Sequence, residues 1–295
     1  MPKREWAGNT YGTAFMHRWL IRALRHTDVR LWYAFTAVFV IPFCMIFAKG
    51  SRTTYQYFRQ RQGFGPLKSF RMTYVNLVLF SQVVIDKFAM FAGKKMKLKV
   101  ENYDIFKNLA AKKEGFVILS AHVGCYEMAG YELVSDKKPF NALVFAHEKE
   151  SVMKGRKSLF TGNHIKMIPI KSDMSHIFAI DNALANGEIV SIPADRMLGS
   201  TKSVEVNFLG TKAKLPMGPF SIAAMRGLNV IAVNVMKTSS TGYTAYIKQL
   251  DYDKDANRKQ QVKQLANRYS EELEQILKIY PAQWYNYFDF WNAEE

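Results

Sequence analysis

The stretch FVILSAHVGCYEMAGYEL, residues 116–133, predicts where a buried strand gives way to a helix in this chain. Residues 116–121 form a short, mostly apolar run, which is typical of a strand covered on both faces. His122 ends that run, Gly124 follows two residues later, and Glu127 stands five residues after the histidine. The stretch therefore predicts an imidazole and a carboxylate at the boundary between a central strand and the next helix.

From about residue 100 onward, short β-rich runs alternate with helical patterns. The candidate strands are residues 116–121, 142–146, 165–170, 189–193, 204–208, 230–235 and 243–249. The candidate helices are residues 104–112, 125–135, 150–160, 173–186, 217–227 and 256–279. This alternation predicts an α/β domain over residues 101–295, with a mixed, largely parallel sheet flanked by helices.

The first hundred residues differ from the rest because they contain a long apolar segment. Residues 31–48, LWYAFTAVFVIPFCMIFA, are all uncharged and are close in number to the length that crosses a bilayer. Basic residues flank this segment on both sides, so charge gives no orientation: Arg18, Arg22, Arg25, Arg30, Lys49, Arg52, Arg59 and Arg61. The sequence predicts a helical, membrane-associating region over residues 1–100 with 31–48 as its anchor, either spanning or monotopic; a buried core helix is the alternative. The second apolar stretch, residues 72–85, predicts a core or interfacial helix.

The charge of the chain indicates a class of partner. The 41 Lys+Arg against 25 Asp+Glu give a net charge of +16, which favours anionic lipid headgroups, an acidic protein or nucleic acid. No nucleic-acid-binding motif accompanies this charge, so nucleic acid is not expected as a partner. Two cysteines exclude a disulfide-dense scaffold, and the six histidines show no close ligand pair, so no metal site is predicted.

The spacing of His122 and Glu127 restricts how their side chains can meet. Positions five apart on one continuous helix point about 140° apart, so the pair meets only if His122 precedes the helix and Glu127 lies in its first turn. The carboxylate then orients the imidazole, and the other ring nitrogen takes a proton. Two other interpretations stay open: a structural histidine at a strand end, and Cys125 as a nucleophile activated by His122 in a thioesterase or hydrolase.

Three later segments extend the pattern: NGEIVSIPADRMLG (186–199), VEVNFLGTKAKLPMGPFSIAAMRGLNVIAVNV (204–235) and YPAQWYNYFDFW (280–291). Together with the H-x4-E stretch, and in this order, they resemble the late acyltransferases of lipid A biosynthesis, within the lysophospholipid acyltransferase superfamily. The resemblance covers residues from about 5 to 291, because a W-x-G-x-T-x-G opening and an apolar anchor also recur in relatives. The resemblance depends on the order and spacing of the segments together, and no single motif is decisive.

The resemblance implies transfer of a fatty acyl group from an acyl-carrier-protein thioester to a hydroxyl of a lipid A precursor or related membrane lipid. His122 would be the general base, with Glu127 as the carboxylate that holds it, and no cofactor is expected. The residues expected to bind substrate are Asp195, Arg196, Arg156 and Lys166. The implied location is the cytoplasmic face of a bacterial inner membrane, with the acyl carrier protein, an anionic lipid and the membrane surface as partners.

One departure from the family pattern concerns the acceptor. Relatives often carry a second acidic residue two positions after the first, where this chain has Met197. An amino-acid lipid or an aryl-polyene-type lipid therefore remains an alternative acceptor. A non-enzymatic basic peripheral protein that binds anionic lipid or nucleic acid is the alternative from a different functional class.

Overall fold

A seven-stranded sheet stands at the centre of the computed structural model, with helices on both faces. The structure describes residues 13–133, 135, 138–145, 165–170, 175–197 and 202–291. The strands are β1 Lys97–Glu101, β2 Phe116–Ser120, β3 Phe140–Phe145, β4 Ile165–Ile170, β5 Ile189–Pro193, β6 Ser203–Phe208, β7 Thr211–Pro216, β8 Asn229–Lys237 and β9 Gly242–Gln249. The strand order in the sheet is β1-β9-β8-β2-β5-β3-β4, and β6 pairs with β7 in a separate antiparallel hairpin.

The helices fall into an N-terminal group and a group around the sheet. They are α1 Ala14–His26, α2 Val29–Phe35, α3 Ile41–Phe47, α4 Lys49–Gln56, α5 Pro66–Phe91, α6 Tyr103–Ala110, α7 Ala129–Glu132, α8 Ser175–Ala185, α9 Met217–Met225 and α10 Arg258–Ile279. Thr36–Val40 and Tyr57–Arg61 are π-helical, and Tyr126–Met128 and Pro281–Gln283 are 3₁₀ turns. Because the π-helical Thr36–Val40 joins α2 to α3, Val29–Phe47 forms one continuous apolar helix.

The sheet is mixed and largely parallel, as predicted. Within the described strands, β8 and β9 pair antiparallel, and the other neighbouring pairs of the sheet run parallel. All five residues of β2 are buried, and they alternate between two apolar clusters. Val117 and Leu119 belong to one cluster, and Phe116 and Ile118 belong to the other. The central strand is therefore covered on both faces, which is the arrangement that its apolar run predicts.

Each face of the sheet has its own layer of helices. Helices α8, α9 and α10 contribute Ile180, Phe220 and Leu265 to the cluster that holds Val117. Helix α6 and the Tyr126–Met128 turn contribute to the cluster on the other face. The chain leaving β2 therefore turns directly into one of the two helical layers.

Some predicted elements differ from the structure. Strands β1 and β7 were not expected, because each alternates lysines with apolar residues and lacks a continuous apolar run. The predicted helix over 125–135 is a 3₁₀ turn followed by the four residues of α7. The predicted helix over 150–160 lies outside the described residues. The proposed boundary between residues 1–100 and 101–295 stays a prediction.

Helix α5 is built into the α/β part of the protein. Its Asp86 is fully buried and accepts hydrogen bonds from the hydroxyls of Tyr33 and Tyr243. Lys237 Nζ lies 2.5 Å from Asp86 Oδ2, and both side chains are almost completely buried. This cluster, named here the Asp86 cluster, joins α2, α5, β8 and β9. Its polar groups are paired with one another, which is the condition for burying charge at an acceptable cost.

The residues of α5 also bind the C-terminal segment, residues 280–291. The amide nitrogen of Asn76 donates to the backbone carbonyls of Ala282 and Trp284, each at 2.9 Å. Asn76 is fully buried, so these two bonds satisfy its amide inside the protein. One side of helix α5 thus packs in the core, which fits the prediction of a core or interfacial helix for residues 72–85.

Candidate active site

The turn that carries His122 is fixed by hydrogen bonds from two neighbouring segments. Gly124 N–H donates to Gln283 O at 2.9 Å, and Cys125 N–H donates to Val235 O at 2.8 Å. Gly124 has a φ of +48°, and an added Cβ would lie 2.0 Å from Val235 O. Only glycine fits this position, because any side chain would meet the backbone of β8. The H-x4-E motif therefore forms a tight turn against the end of β8 and the C-terminal segment.

Asp195 is the carboxylate that holds the His122 ring. Asp195 Oδ1 lies 2.7 Å from His122 Nδ1, and Asp195 Oδ2 accepts a hydrogen bond from the His122 backbone N–H at 3.0 Å. Trp284 Nε1–H also donates to Asp195 Oδ2, at 3.4 Å. Strands β2 and β5 are parallel neighbours, so the residues that follow them meet at one edge of the sheet, where α/β proteins bind ligands.

Burial favours a neutral histidine in this pair, and the neighbouring charges favour an ionised aspartate. Burial lowers the pKa of His122 below its ordinary value, against the raising effect of the Asp195 and Glu127 charges. Burial alone would raise the pKa of Asp195, but the His122 ring and the Arg196 guanidinium outweigh it and hold that pKa at about 2. With Nδ1 held by Asp195, Nε2 of a neutral His122 is the nitrogen that can take a proton.

Glu127 does not occupy the place that the sequence analysis gave it. The expected carboxylate contact with the His122 ring is made by Asp195, whereas Glu127 Oε1 forms a salt bridge with Lys87 Nζ at 2.9 Å. Glu127 lies in the 3₁₀ turn just after His122, and its charge still raises the pKa of the histidine. The structure thus places Asp195 against the His122 ring and Glu127 in the turn after it, and the catalytic roles of Glu127 and His122 stay predictions.

Arg196 places a positive charge next to the pair. Its Nη2 donates to Tyr285 O at 2.8 Å, and its guanidinium lies 5.7 Å from the centre of the Phe288 ring. The Arg196 charge lowers the pKa of both His122 and Asp195. The ring of Tyr126 lies 5.1 Å from the His122 ring in an edge-on arrangement. A guanidinium suits an anionic oxygen, and the substrate-binding role of Arg196 stays a prediction.

The other two residues that were expected to bind substrate are not brought to His122. Lys166 is the second residue of β4, whose start is level with the starts of β3, β5 and β2. It therefore lies at the edge of the sheet opposite His122, where it forms an exposed salt bridge with Glu188 at 3.0 Å. Direct contact with a substrate at His122 does not fit this position. Arg156 lies outside the described residues.

Cys125 faces the interior. Its side chain is only 4% exposed, and burial raises the pKa of its thiol, with the Glu127 and Asp86 charges acting in the same direction. A reactive cysteine needs the opposite, a lowered pKa and access to substrate. Cys125 is thus a core residue of the turn.

Lys87 is a residue of the site that the sequence analysis missed. It belongs to α5, forty residues before Glu127, and no motif spacing connects the two. One signal was present, since Asp86 and Lys87 interrupt the apolar pattern VVIDKFAMF with two adjacent charges. Within the described residues, no group of three or more histidine, cysteine, aspartate or glutamate side chains is placed to hold a metal ion.

Comparisons with known proteins found a matching family model and a similar solved structure. The family model for bacterial lipid A biosynthesis acyltransferases matches residues 77–291, which include Lys87, the H-x4-E turn, Asp195 and the C-terminal segment. Among solved structures, the chain is similar to the 1-acyl-sn-glycerophosphate (LPA) acyltransferase PlsC from Thermotoga maritima. That similarity has 15% identity, a TM-score of 0.37, and coverage of 92% of this chain and 100% of that chain. No match was found among curated proteins.

Proposed function

This chain belongs to the bacterial lipid A biosynthesis acyltransferase family and is an acyltransferase, and from that premise we propose its substrates and its base. The proposed reaction moves a fatty acyl group from an acyl-carrier-protein thioester to a hydroxyl of a lipid A precursor. His122 is the general base, and Asp195 is the carboxylate that orients it. The observation that supports these roles is the 2.7 Å contact between His122 Nδ1 and Asp195 Oδ1 at the carboxyl edge of β2 and β5.

The proposed mechanism needs one proton carrier. His122 Nε2 takes the proton of the acceptor hydroxyl while its oxygen attacks the thioester carbonyl. The tetrahedral intermediate then collapses, the C–S bond breaks, and the imidazolium returns the proton to the leaving thiolate. The products are an ester and a free thiol, so no cofactor is required. The buried Asp195 carboxylate stabilises the imidazolium, and the positive charge of Arg196, which acts on His122, would stabilise the negative oxygen of the intermediate.

The charge of the chain supports the proposed donor and acceptor. A net charge of +16 favours encounter with an acidic carrier protein and with phosphorylated lipid. The proposed location is the cytoplasmic face of the bacterial inner membrane, where both substrates would meet the same protein surface. Anionic headgroups there would attract the basic residues on both sides of the Val29–Phe47 helix.

A comparison of lipid extracts tests the proposed acceptor. Lipids from cells with and without this protein are compared by mass spectrometry, and purified protein is then given acyl carrier protein loaded with fatty acid and the identified acceptor. We expect a lipid A species lacking one acyl chain in cells without the protein. An unchanged lipid A with a lost acyl chain on an amino-acid lipid or aryl-polyene-type lipid would contradict the acceptor.

Substitution of Cys125 by alanine tests whether acyl transfer uses His122 as a general base or Cys125 as a nucleophile. The thiol is buried and its pKa is raised, so we expect the variant to keep its acyl-transfer rate within about twofold and wild type to form no acyl adduct on Cys125. Rates and intact protein masses after incubation with acyl donor measure both. An inactive, folded Cys125→Ala protein together with an acylated Cys125 in wild type would favour the thioesterase alternative.

The packing of the apolar Val29–Phe47 helix supports a monotopic placement in the membrane. Near its start, Tyr33 belongs to the Asp86 cluster and lies 2.9 Å from Ser240 O. Just after its end, the backbone of Gly50 packs against Tyr287, and at the end of α4 the Tyr57 hydroxyl donates to Pro281 O at 3.3 Å. A helix of this length rises about 28 Å, close to the thickness of a bilayer. Both ends therefore meet the same α/β domain, which a helix spanning the membrane could not do.

Three phenylalanines on the exposed face of this helix are expected to enter the leaflet. Phe39, Phe43 and Phe47 are 68%, 63% and 67% exposed. We expect replacement of each by serine to weaken binding to anionic vesicles about tenfold, because burial of an aromatic side chain contributes roughly 1.5–3 kcal/mol. Vesicle flotation measures the binding. Phe178→Ser is the control, since Phe178 is 78% exposed on α8.

Two outcomes would contradict the monotopic placement. One is unchanged vesicle binding by a folded variant in which Phe39, Phe43 and Phe47 are all replaced by serine. The other is protease protection of only one of two tags, placed before α1 and after residue 295, because a single span leaves the two ends on opposite sides.

A further inference from the structure

We propose that Lys87 is a positioning residue for acyl transfer, which holds the Glu127 carboxylate beside the catalytic turn and balances its charge near the His122 imidazole. This inference rests on the proposed function. It assigns a role in the reaction to α5, a helix that leads from the N-terminal region into the α/β domain.

The first support is the geometry of the pair. Lys87 Nζ lies 2.9 Å from Glu127 Oε1, and the two side chains are 18% and 17% exposed. Glu127 stands in the same turn as Tyr126, whose ring contacts the His122 ring. The salt bridge is thus partly shielded from water and lies directly beside the base. Charge pairs in such places interact more strongly than exposed ones.

The second support is the packing that fixes the direction of Lys87. Its neighbour Asp86 is locked by the Asp86 cluster, in which Lys237 Nζ also donates to Ser240 O at 3.0 Å. Successive residues of a helix point about 100° apart, so a fixed Asp86 also fixes where Lys87 points. Asn76, on the same helix, is bound to the C-terminal segment that holds the His122 turn. Lys87 and the His122 turn are therefore positioned by α5 and the C-terminal segment, which are hydrogen-bonded to each other.

The third support is the balance of charge around His122. Among the described residues, the charged groups with the largest effect on the imidazole are Asp195, Arg196 and Glu127, and Asp195 and Arg196 carry opposite charges. Glu127 adds a second negative charge, which favours the protonated ring that cannot act as a base. Lys87 supplies the matching positive charge at 2.9 Å from that carboxylate. The Glu127 carboxylate in the turn beside the base is thus paired with a cation at short range.

Two substitutions of Lys87 distinguish the effect of its charge from the effect of its aliphatic stem. Lys87→Met keeps the aliphatic stem and removes the charge, and Lys87→Arg keeps the charge. Lys99→Met is the matched control, since Lys99 forms an exposed salt bridge with Glu101 on β1 at 2.7 Å. The pH dependence of kcat and the pH dependence of diethyl pyrocarbonate labelling of His122, read by mass spectrometry, are measured for each protein.

We expect Lys87→Met to lower kcat about tenfold and to raise the midpoints of the pH–kcat profile and of the labelling profile by about 0.5 pH unit. Loss of the Lys87 cation strengthens the effect of the Glu127 charge, which stabilises the imidazolium. Lys87→Arg should restore most of the rate, and Glu127→Gln added to Lys87→Met should return the labelling midpoint toward wild type. A salt bridge with only a structural role would change the folded fraction and leave both midpoints in place.

Unchanged midpoints in folded Lys87→Met would overturn the proposal, and so would an equal loss of rate in Lys87→Arg. The labelling midpoint does not depend on turnover. A wild-type protein that transfers no acyl group, while its His122 midpoint still responds to Lys87→Met, would therefore contradict the proposed reaction and leave the electrostatic coupling established.

Discussion

Replacement of His122 by alanine is expected to lower kcat for acyl transfer by about 10²–10⁴-fold, the usual contribution of a general base. The loss follows from the position of the imidazole, whose Nδ1 is held by Asp195 and whose Nε2 is the nitrogen that can accept the hydroxyl proton. Single-turnover transfer from acyl-loaded carrier protein to a lipid acceptor measures the chemical step directly.

Folding of the variant needs its own control, because alanine leaves the buried Asp195 carboxylate without its ring partner. That change is expected to cost about 1–3 kcal/mol of unfolding free energy. His122→Asn keeps an N–H that can donate to Asp195 but cannot act as a base. Full transfer activity in either folded variant would contradict a general-base role for His122.

Substitution of Asp195 by asparagine is expected to lower kcat by about 10²–10⁴-fold, comparable to the loss of the base itself. The amide cannot stabilise the imidazolium, and its N–H can turn the ring into the tautomer whose Nε2 already carries a proton. The pKa of His122 should also fall, because the Asp195 charge raises it. The acid limb of the pH–rate profile is therefore expected at lower pH than in wild type.

Glu127→Gln is the matched comparison for Asp195→Asn, since each replaces one carboxylate near His122 by an amide of the same shape. We expect the Glu127 variant to lose about tenfold or less in kcat, because Glu127 acts on the ring through its charge. A loss in kcat that is equal or greater in Glu127→Gln than in Asp195→Asn would support the His122–Glu127 dyad that the H-x4-E spacing predicted.

The strand-to-helix boundary at His122 was predictable because it depends on local pattern. A continuous apolar run must be covered on both faces, and β2 is buried at every position. Strand β1, KLKVE, and strand β7, TKAKLP, were not predicted, because lysines that alternate with apolar residues are equally typical of exposed loops. Local pattern thus identified the centre of the sheet and missed β1 at its edge and β7 in the separate hairpin.

The partner of His122 was not predictable from spacing. Glu127 is the nearest carboxylate along the chain after the histidine, whereas Asp195 follows β5, seventy-three residues later. Parallel pairing of β2 with β5 brings the two strand ends together, and nothing in the local sequence encodes that pairing. The same register places the start of β4, and with it Lys166, at the edge of the sheet opposite His122.

The sequence by itself determined the α/β class, the buried strand that ends in His122, the glycine turn after it and the apolar helix before it, because each depends on residues close together in the chain. Only the tertiary structure decided that Asp195 holds the imidazole, that Lys87 binds Glu127, and that both ends of the apolar helix return to one domain. These contacts join distant segments, and the packing of the sheet and of α5 is what brings their charges within a few ångströms of each other.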